Sequence, residues 1–580
     1  MSLKEIKARL IAASKTEEDF LVQINASYLE ELCKEDKVLA PALYKLHNSQ
    51  KINLFEILRA VDKGSSRYRP YTILCIFEST LPYLDASIDD VLSCLVYLRQ
   101  QANEGKLIDN SCGAFEHFCR AGIHRSKDSI SFILSQDNIV EYAPFLSSSI
   151  LAYGLDSVGE AIKSAEGLIH HDDFNVRNQA YSVLAKLEID GPQVDLIWQI
   201  LRRSITSEEK DSCCASLLEE ILNFGSKYPS YWPQIEDLLS AFSKSHVPQV
   251  VYAISKILAF QKIDFPERIL HYLIMQLTNV NPEHRNTLNN IDHLLVGLVD
   301  RGNSKFTVEL LESILNLGVG INSLRHFASV LLGKKPELLS YIVTRWFLDG
   351  EPKLCQSAFE LLDDTDYRNI SLKSDLSLLD NNSKKIFVSH KAVGWLFMRP
   401  TIAASFIFSI YGSASKDVRE ELEKILYDPL LLSYPGALKD YMESCIDSDF
   451  QKQLCECLLE KLQEYHSDID QVIGLNELAV SNKNVDLYRK ESNKKIQEAY
   501  EKASKGSFVD LFATKKQLLY GNSSIFYVHQ ENGEQVRHES QMQSFSHSTE
   551  IPRLYILDPV SLDYVLRIYR YEGMNNEADS

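Results

Sequence analysis

Three segments of this chain open a helix with the same phrase, and a phrase that returns at a steady interval restricts a long sequence more than any single motif does. They read GPQVDLIWQIL from Gly191, WPQIEDLLSAF from Trp232 and FPERILHYLIMQL from Phe265. Each sets a proline, Pro192, Pro233 or Pro266, directly before Gln or Glu and an apolar run. Proline suits the first helical turn, where its missing N–H has no partner to lose. Beyond it, Val194, Ile197, Trp198 and Leu201 follow at i, i+3, i+4 and i+7, and Leu270, Leu273, Ile274 and Leu277 repeat that spacing. Both sets paint one helix face.

Another amphipathic helix precedes each proline helix. Its stripe is Val176, Ala180, Val183, Leu184 and Leu187 in the first unit and Cys214, Leu217, Leu218, Ile221 and Leu222 in the second. In the third it is Val250, Ile254, Ile257 and Leu258. The first and third stripes start 74 residues apart (176 to 250), as do their prolines (192 to 266), so one unit takes ~37 residues, a helix-pair length. Leu324, Phe327, Ala328 and Leu331, followed by Pro336-Glu337, predict a fourth unit. No such pair buries both its faces alone, so pairs must stack. The 580 residues exceed what one core can organise, and only 23 glycines and 17 prolines leave room for long helices. The expected fold is all-α, a solenoid of stacked helix pairs carrying a small α+β C-terminal appendage.

The segment LIHHDDFNVRNQAYSVLAKL, Leu168 to Leu187, resembles a HEAT repeat. Asp173, Val176, Arg177 and Ala180 match the family's Asp in the turn within a pair, followed by Val-Arg and a small residue. Gln249-Val250-Val251 has no Arg, and the Cys213 unit has neither Asp nor Arg. The resemblance to HEAT and armadillo proteins runs from about 140 to 345 and implies an extended surface for binding another protein.

Three regions are expected: an N-terminal helical part over 1–135, the solenoid over 136–480, and 481–580 as a basic helix, appendage and frayed tail. In the last region SSIFYVH, Ser523 to His529, reads as a strand, and Asn532-Gly533 as a hairpin turn. A polar arm runs through Arg537, and 538–550 reads as a loop. Arg553 to Leu557 reads as a short strand, and Leu562, Val565, Leu566 and Tyr569 predict a last helix.

Basic residues number 61 against 80 acidic ones, a net charge of −19, which disfavours broad contact with nucleic acid or an anionic membrane. Eleven cysteines, an odd number mostly in apolar helical runs, and the charged opening MSLKEIKARL point to a reducing, cytoplasmic location. The most apolar stretch, Ala392 to Tyr411, is broken by Arg399-Pro400 into pieces too short to span a bilayer. Its aromatic part from Gly394 reads as buried central helices, or alternatively as an oligomer interface.

His170-His171-Asp172-Asp173 has two readings: an exposed turn with Asp173 capping the next helix, or a His-Asp metal pair of a hydrolase. Cys112, His117, Cys119 and His124 suggest zinc, but on a helix positions 117 and 119 point about 200° apart, so one tetrahedron does not close unless a loop intervenes. Cys455-x-Cys457 fails in the same way, and Cys213-Cys214 reads as core. Gly333-Lys334-Lys335 lacks the upstream glycine and the Ser/Thr of a phosphate loop. No catalytic, cofactor or metal residue is therefore assigned.

The helix expected over 482–516 carries nine basic side chains against five acidic ones. It reads as a solvated face, or as docking for an acidic partner or phosphate through Arg489, Lys490, Lys494, Lys495 and Lys502. The function expected is a non-enzymatic scaffold or adaptor for a protein partner. The alternatives are a nucleic-acid binder clustering Arg177, Arg202, Arg203, Arg285 and the 482–516 lysines, or a metal hydrolase around His170–Asp173.

Overall fold

The computed structural model describes residues 2–574 except 33–36, 103–109, 245, 364–369, 445–448, 473, 476–479, 505–522, 530–534 and 542–549. The protein is all-α and repeat-like, with 30 α-helices among the described residues. It divides into two compact units, Met1–Leu294 and Leu295–Ser580.

The helices Phe174–Lys186, Asp211–Lys227 and Pro248–Phe260 of the first unit, and Arg285–Asp300, which begins in it, start 37 residues apart each time. The first three, with Pro144–Asp156 before them, pack each on the next in one row. Val158–Leu168, Pro192–Ser207, Trp232–Ala241 and Glu267–Leu277 follow them alternately, each packed on its own row partner. Every residue of the three expected row stripes is buried. Burying apolar surface between successive helices is the main stabilising term, at roughly 25 cal/mol per Å2. Polar links repeat at the same interval. Asn290 donates to the Ser255 hydroxyl at 3.0 Å, and the Lys256 ammonium lies 3.4 Å from Glu219. Pro192 takes the first position of its helix and Pro233 the second; Pro266 stands one residue earlier, as the N-cap of Glu267–Leu277.

In the second unit, Arg325–Lys334 is followed by Pro336–Asp349 and Pro352–Asp363, each opened by a proline. The aromatic run forms the end of Asn382–Leu396 and all of Pro400–Tyr411. Buried residues cover the second of these nearly all round, so the central-helix reading holds. Phe347 meets the Phe406 ring edge-on at 5.7 Å, and Phe397 lies 5.3 Å from the Tyr434 ring. Among the described residues no helix is long and apolar enough to cross a membrane.

Strands β1 (Ser523–His529) and β2 (Gln535–Gln541) pair antiparallel, Phe526 opposite His538. The second arm thus runs to Gln541, into the stretch expected as loop. Asn532-Gly533 and most of the expected tail lie outside the described residues. Arg553 to Leu557 corrects the expectation: Leu554–Leu557 is a helical turn. The Arg553 N–H donates to the Ser433 carbonyl at 2.9 Å, and the Arg553 carbonyl accepts from both Ile556 and Leu557. An apolar run this short carries no period that separates strand from helix.

The last helix, Pro559–Tyr571, forms as expected and packs on Asn382–Leu396. Lys391 is fully buried there, and its ammonium donates to the carbonyls of Arg570 and Glu572, both at 2.7 Å. A cation at a helix C-terminus satisfies carbonyls that have no helical partner. The Arg570 guanidinium donates back to the Gly394 carbonyl, and His390 stacks on Tyr569 at 4.2 Å. A side chain at Gly394 would meet the Arg570 and Tyr569 backbone, so only glycine lets the two helices approach this closely.

Candidate functional site

The N-terminal halves of two row helices in the first unit, with the start of a third, line a groove of about 690 Å3. Ser212 and Ser216 come from one helix, Tyr252 and Lys256 from the next, and His284 and Arg285 from the start of the third. The 37-residue interval produces this grouping, because equivalent positions such as Glu219 and Lys256 come side by side. The floor is mixed in polarity: Tyr252 exposes its ring, Lys256 pairs with Glu219, and Arg285 is exposed. With Glu219 and Glu283 set against Lys256 and Arg285, such a surface suits a polypeptide segment with both apolar and polar groups. Sequence reasoning named only Arg285 of this set, although the repeat interval itself was the available signal.

The second unit holds another groove, of about 850 Å3, lined by Lys305, Lys334, Lys335, Glu309 and Tyr341 among others. Gly333-Lys334-Lys335 therefore ends a helix at a groove edge, and Lys335 lies 3.4 Å from Asp300. Arg345, also at this groove, is held by Glu312 at 2.7 and 3.0 Å.

Asp173 caps Phe174–Lys186 by accepting from the Asn175 N–H at 2.7 Å, and His171 Nδ1 accepts from the Asp173 N–H at 3.0 Å. The Arg177 guanidinium donates to the carbonyls of His171 and Asp172. The four-residue run is thus the turn that leads from Val158–Leu168 into Phe174–Lys186, with the His171 and Asp173 side chains engaged along the backbone. Among the described residues no three His, Cys, Asp or Glu side chains are grouped to hold a metal ion.

Arg177 also forms a two-pronged bond with Glu208, at 3.0 Å for each prong, and Tyr181 donates to the same carboxylate at 2.8 Å. Burial pushes the Glu208 carboxyl up, but Arg177, the Lys210 N–H and Tyr181 outweigh it and hold it below its ordinary value. Burial, then the Glu208 carboxylate, pushes the Tyr181 hydroxyl far up. This cluster fastens one repeat to the next, so Arg177 is not offered to phosphate. Arg202 and Arg203 stand exposed on Pro192–Ser207, outside the row that lines the groove, and the 482–516 lysines belong to the other unit. The structure does not bring that basic set together in one unit.

Cys112 and Cys119 lie on Ser111–Cys119, with His117 exposed on the opposite side and His124 exposed in the next helix. The Cys112 thiol donates to the Pro144 carbonyl at 3.5 Å, and burial pushes the Cys119 thiol up to about 12. Cys213, Cys214 and Cys455 are core residues and Cys457 is half-buried.

The basic helix is described over Asn482–Ser504. Arg489, Lys490 and Lys494 are exposed; Arg489 lies 3.9 Å from Asp486 and Lys494 3.8 Å from Glu498. Lys495 is half-buried, and burial lowers its affinity for a proton. The side chain of Lys502 and residues 505–516 lie outside the described residues. No protein-family model matches this chain, and no curated protein matches it in sequence.

Proposed function

We propose that this chain is a non-enzymatic scaffold or adaptor, an α-solenoid of HEAT or armadillo type that holds a protein partner in the groove of its 174–300 repeats. The observation that carries the reading is the 37-residue interval of the row helices, which accompanies a groove lined by side chains from three successive repeats. Repeat arrays bind along such composite surfaces. On this reading 1–135 is an N-terminal helical region, 136–480 the solenoid, and 481–580 a basic helix with a small α+β appendage. Arg489, Lys490, Lys494, Lys495 and Lys502 would form an accessory docking face for acidic groups.

The test is affinity capture with the full chain against the Tyr252→Arg and Arg285→Glu variants. A defined protein recovered in stoichiometric amount with the parent, and lost with the variants, supports the proposal. Recovery of nucleic acid instead, with affinity falling steeply as salt rises, would replace it with the nucleic-acid reading.

A further inference from the structure

The last helix, Pro559–Tyr571, is apolar on two faces. Leu562 and Leu566 are buried against the second unit. The opposite face carries Val560, Tyr564, Ile568 and Tyr571, exposed by 78, 66, 40 and 64%. At about 100° per residue these four positions fall within ~80° of one another, so they form one continuous stripe. Beside the stripe, Asp563 and Arg567 pair with each other at 2.8 Å. The helix is no frayed end. Lys391 holds its last carbonyls, Arg570 reaches back to Gly394, and Asp558 caps its start by accepting from Ser561. Large exposed apolar stripes on a fixed helix mark interaction surfaces.

We infer that this stripe is the two-fold interface of a homodimer, occupied by the same helix of a second copy running antiparallel. The arrangement of residues is self-complementary, as a two-fold contact requires. Val560 and Tyr571 are centred on position 565.5, Tyr564 and Ile568 on 566, and Asp563 and Arg567 on 565. Antiparallel pairing about that shared midpoint sets Val560 against the copy's Tyr571, and Tyr564 against its Ile568. It also sets Asp563 against the copy's Arg567, so the ion pair within each helix is doubled across the interface. Asp563 and Arg567 cancel each other's charge beside the stripe, so that pair adds nothing to the repulsion expected between two chains of net charge −19. A helix of 13 residues gives a contact about 20 Å long, the small end of specific interfaces, so the association is concentration-dependent. The inference stands apart from the groove reading and does not depend on it.

The experiment is sedimentation velocity of the full chain across a concentration series. The parent is expected to shift from monomer to dimer. Tyr564→Arg, which leaves the buried face untouched, should weaken association by about 30-fold or more, as for a central aromatic anchor. Asp563→Arg and Arg567→Asp alone should each be monomeric, since like charges then meet across the axis. Mixing those two variants should restore dimer, because each then supplies the charge its partner lacks. Circular dichroism of each variant confirms that it is folded. A parent that stays monomeric at every concentration overturns the inference. So does a dimer that survives Tyr564→Arg, or two folded charge variants that fail to recombine.

Discussion

The repeats at 174–277 and the helices at 382–411 are both stacked, buried and almost wholly helical, yet they are held in different ways. In the first region the polar links between elements join near neighbours in the chain, as Lys256 does with Glu219, 37 positions away, and Arg177 with Glu208, 31 away. In the second, the decisive links come from far along the chain. Lys391 binds the carbonyls of Arg570 and Glu572, and Arg570 donates back to the Gly394 carbonyl. The repeats are a nearest-neighbour array, and the C-terminal core is a clasp closed by a distant segment.

That contrast sets how loss of one contact should spread. Arg177→Met removes the partner of a carboxylate whose side chain is only 5% exposed. Leaving a buried charge unpaired costs about 3–5 kcal/mol. Thermal or urea unfolding should lose that much, with hydrogen exchange accelerating on both sides of the 174–186 and 211–227 contact. An effect under ~1 kcal/mol, the range of an exposed ion pair, would mean the cluster does not join the repeats.

Glu220 offers a pH test within the same array. Burial pushes its carboxyl up to about 7 from 4.5, against the opposing effects of Lys186, Asn223 and Ser182; Glu219 adds to the rise. The folded state therefore holds the proton more tightly than the unfolded state. Its contribution is complete below pH 4.5 and is lost as pH rises through 7, a loss of about 3 kcal/mol. Glu220→Gln should flatten the stability profile over that window. A parent profile with no fall between pH 4.5 and 7 that Glu220→Gln removes would contradict this.

Lys391→Met tests the clasp. Two buried carbonyls lose their donor, which costs about 2 kcal/mol after the gain from no longer burying a charge. The loss should appear as faster hydrogen exchange at 559–571 while the 174–277 repeats keep their protection. Equal loosening of the repeats would erase the distinction between array and clasp. The smallest effect is expected for Asp173→Ala, which removes one helix cap worth about 1 kcal/mol and should read out only in the stability of the first unit.

The same contrast explains what the sequence disclosed. The stripes at Val176, Cys214 and Val250 were legible because one repeat's burial pattern is written within it, at helical spacing. The turn at His170–Asp173 was legible too, because a cap needs only its neighbours. Nothing in the sequence marked Lys391 as a buried clamp, since its partners lie 179 and 181 residues away and leave no period. Leu554–Leu557 misled for a related reason: its helical turn rests partly on the Ser433 carbonyl, outside any local window. The groove stood between these cases. Its residues are ordinary helix-surface side chains, and only the interval between repeats makes them a surface.

The account rests most on that surface holding another protein, and a photo-crosslinking amino acid placed at Tyr252 tests it directly. The prediction is one dominant crosslinked protein, with its contact mapped beside Tyr252 and abolished by Arg285→Glu. Crosslinks only to the chain itself, to nucleic acid, or to many proteins regardless of Arg285 would contradict it.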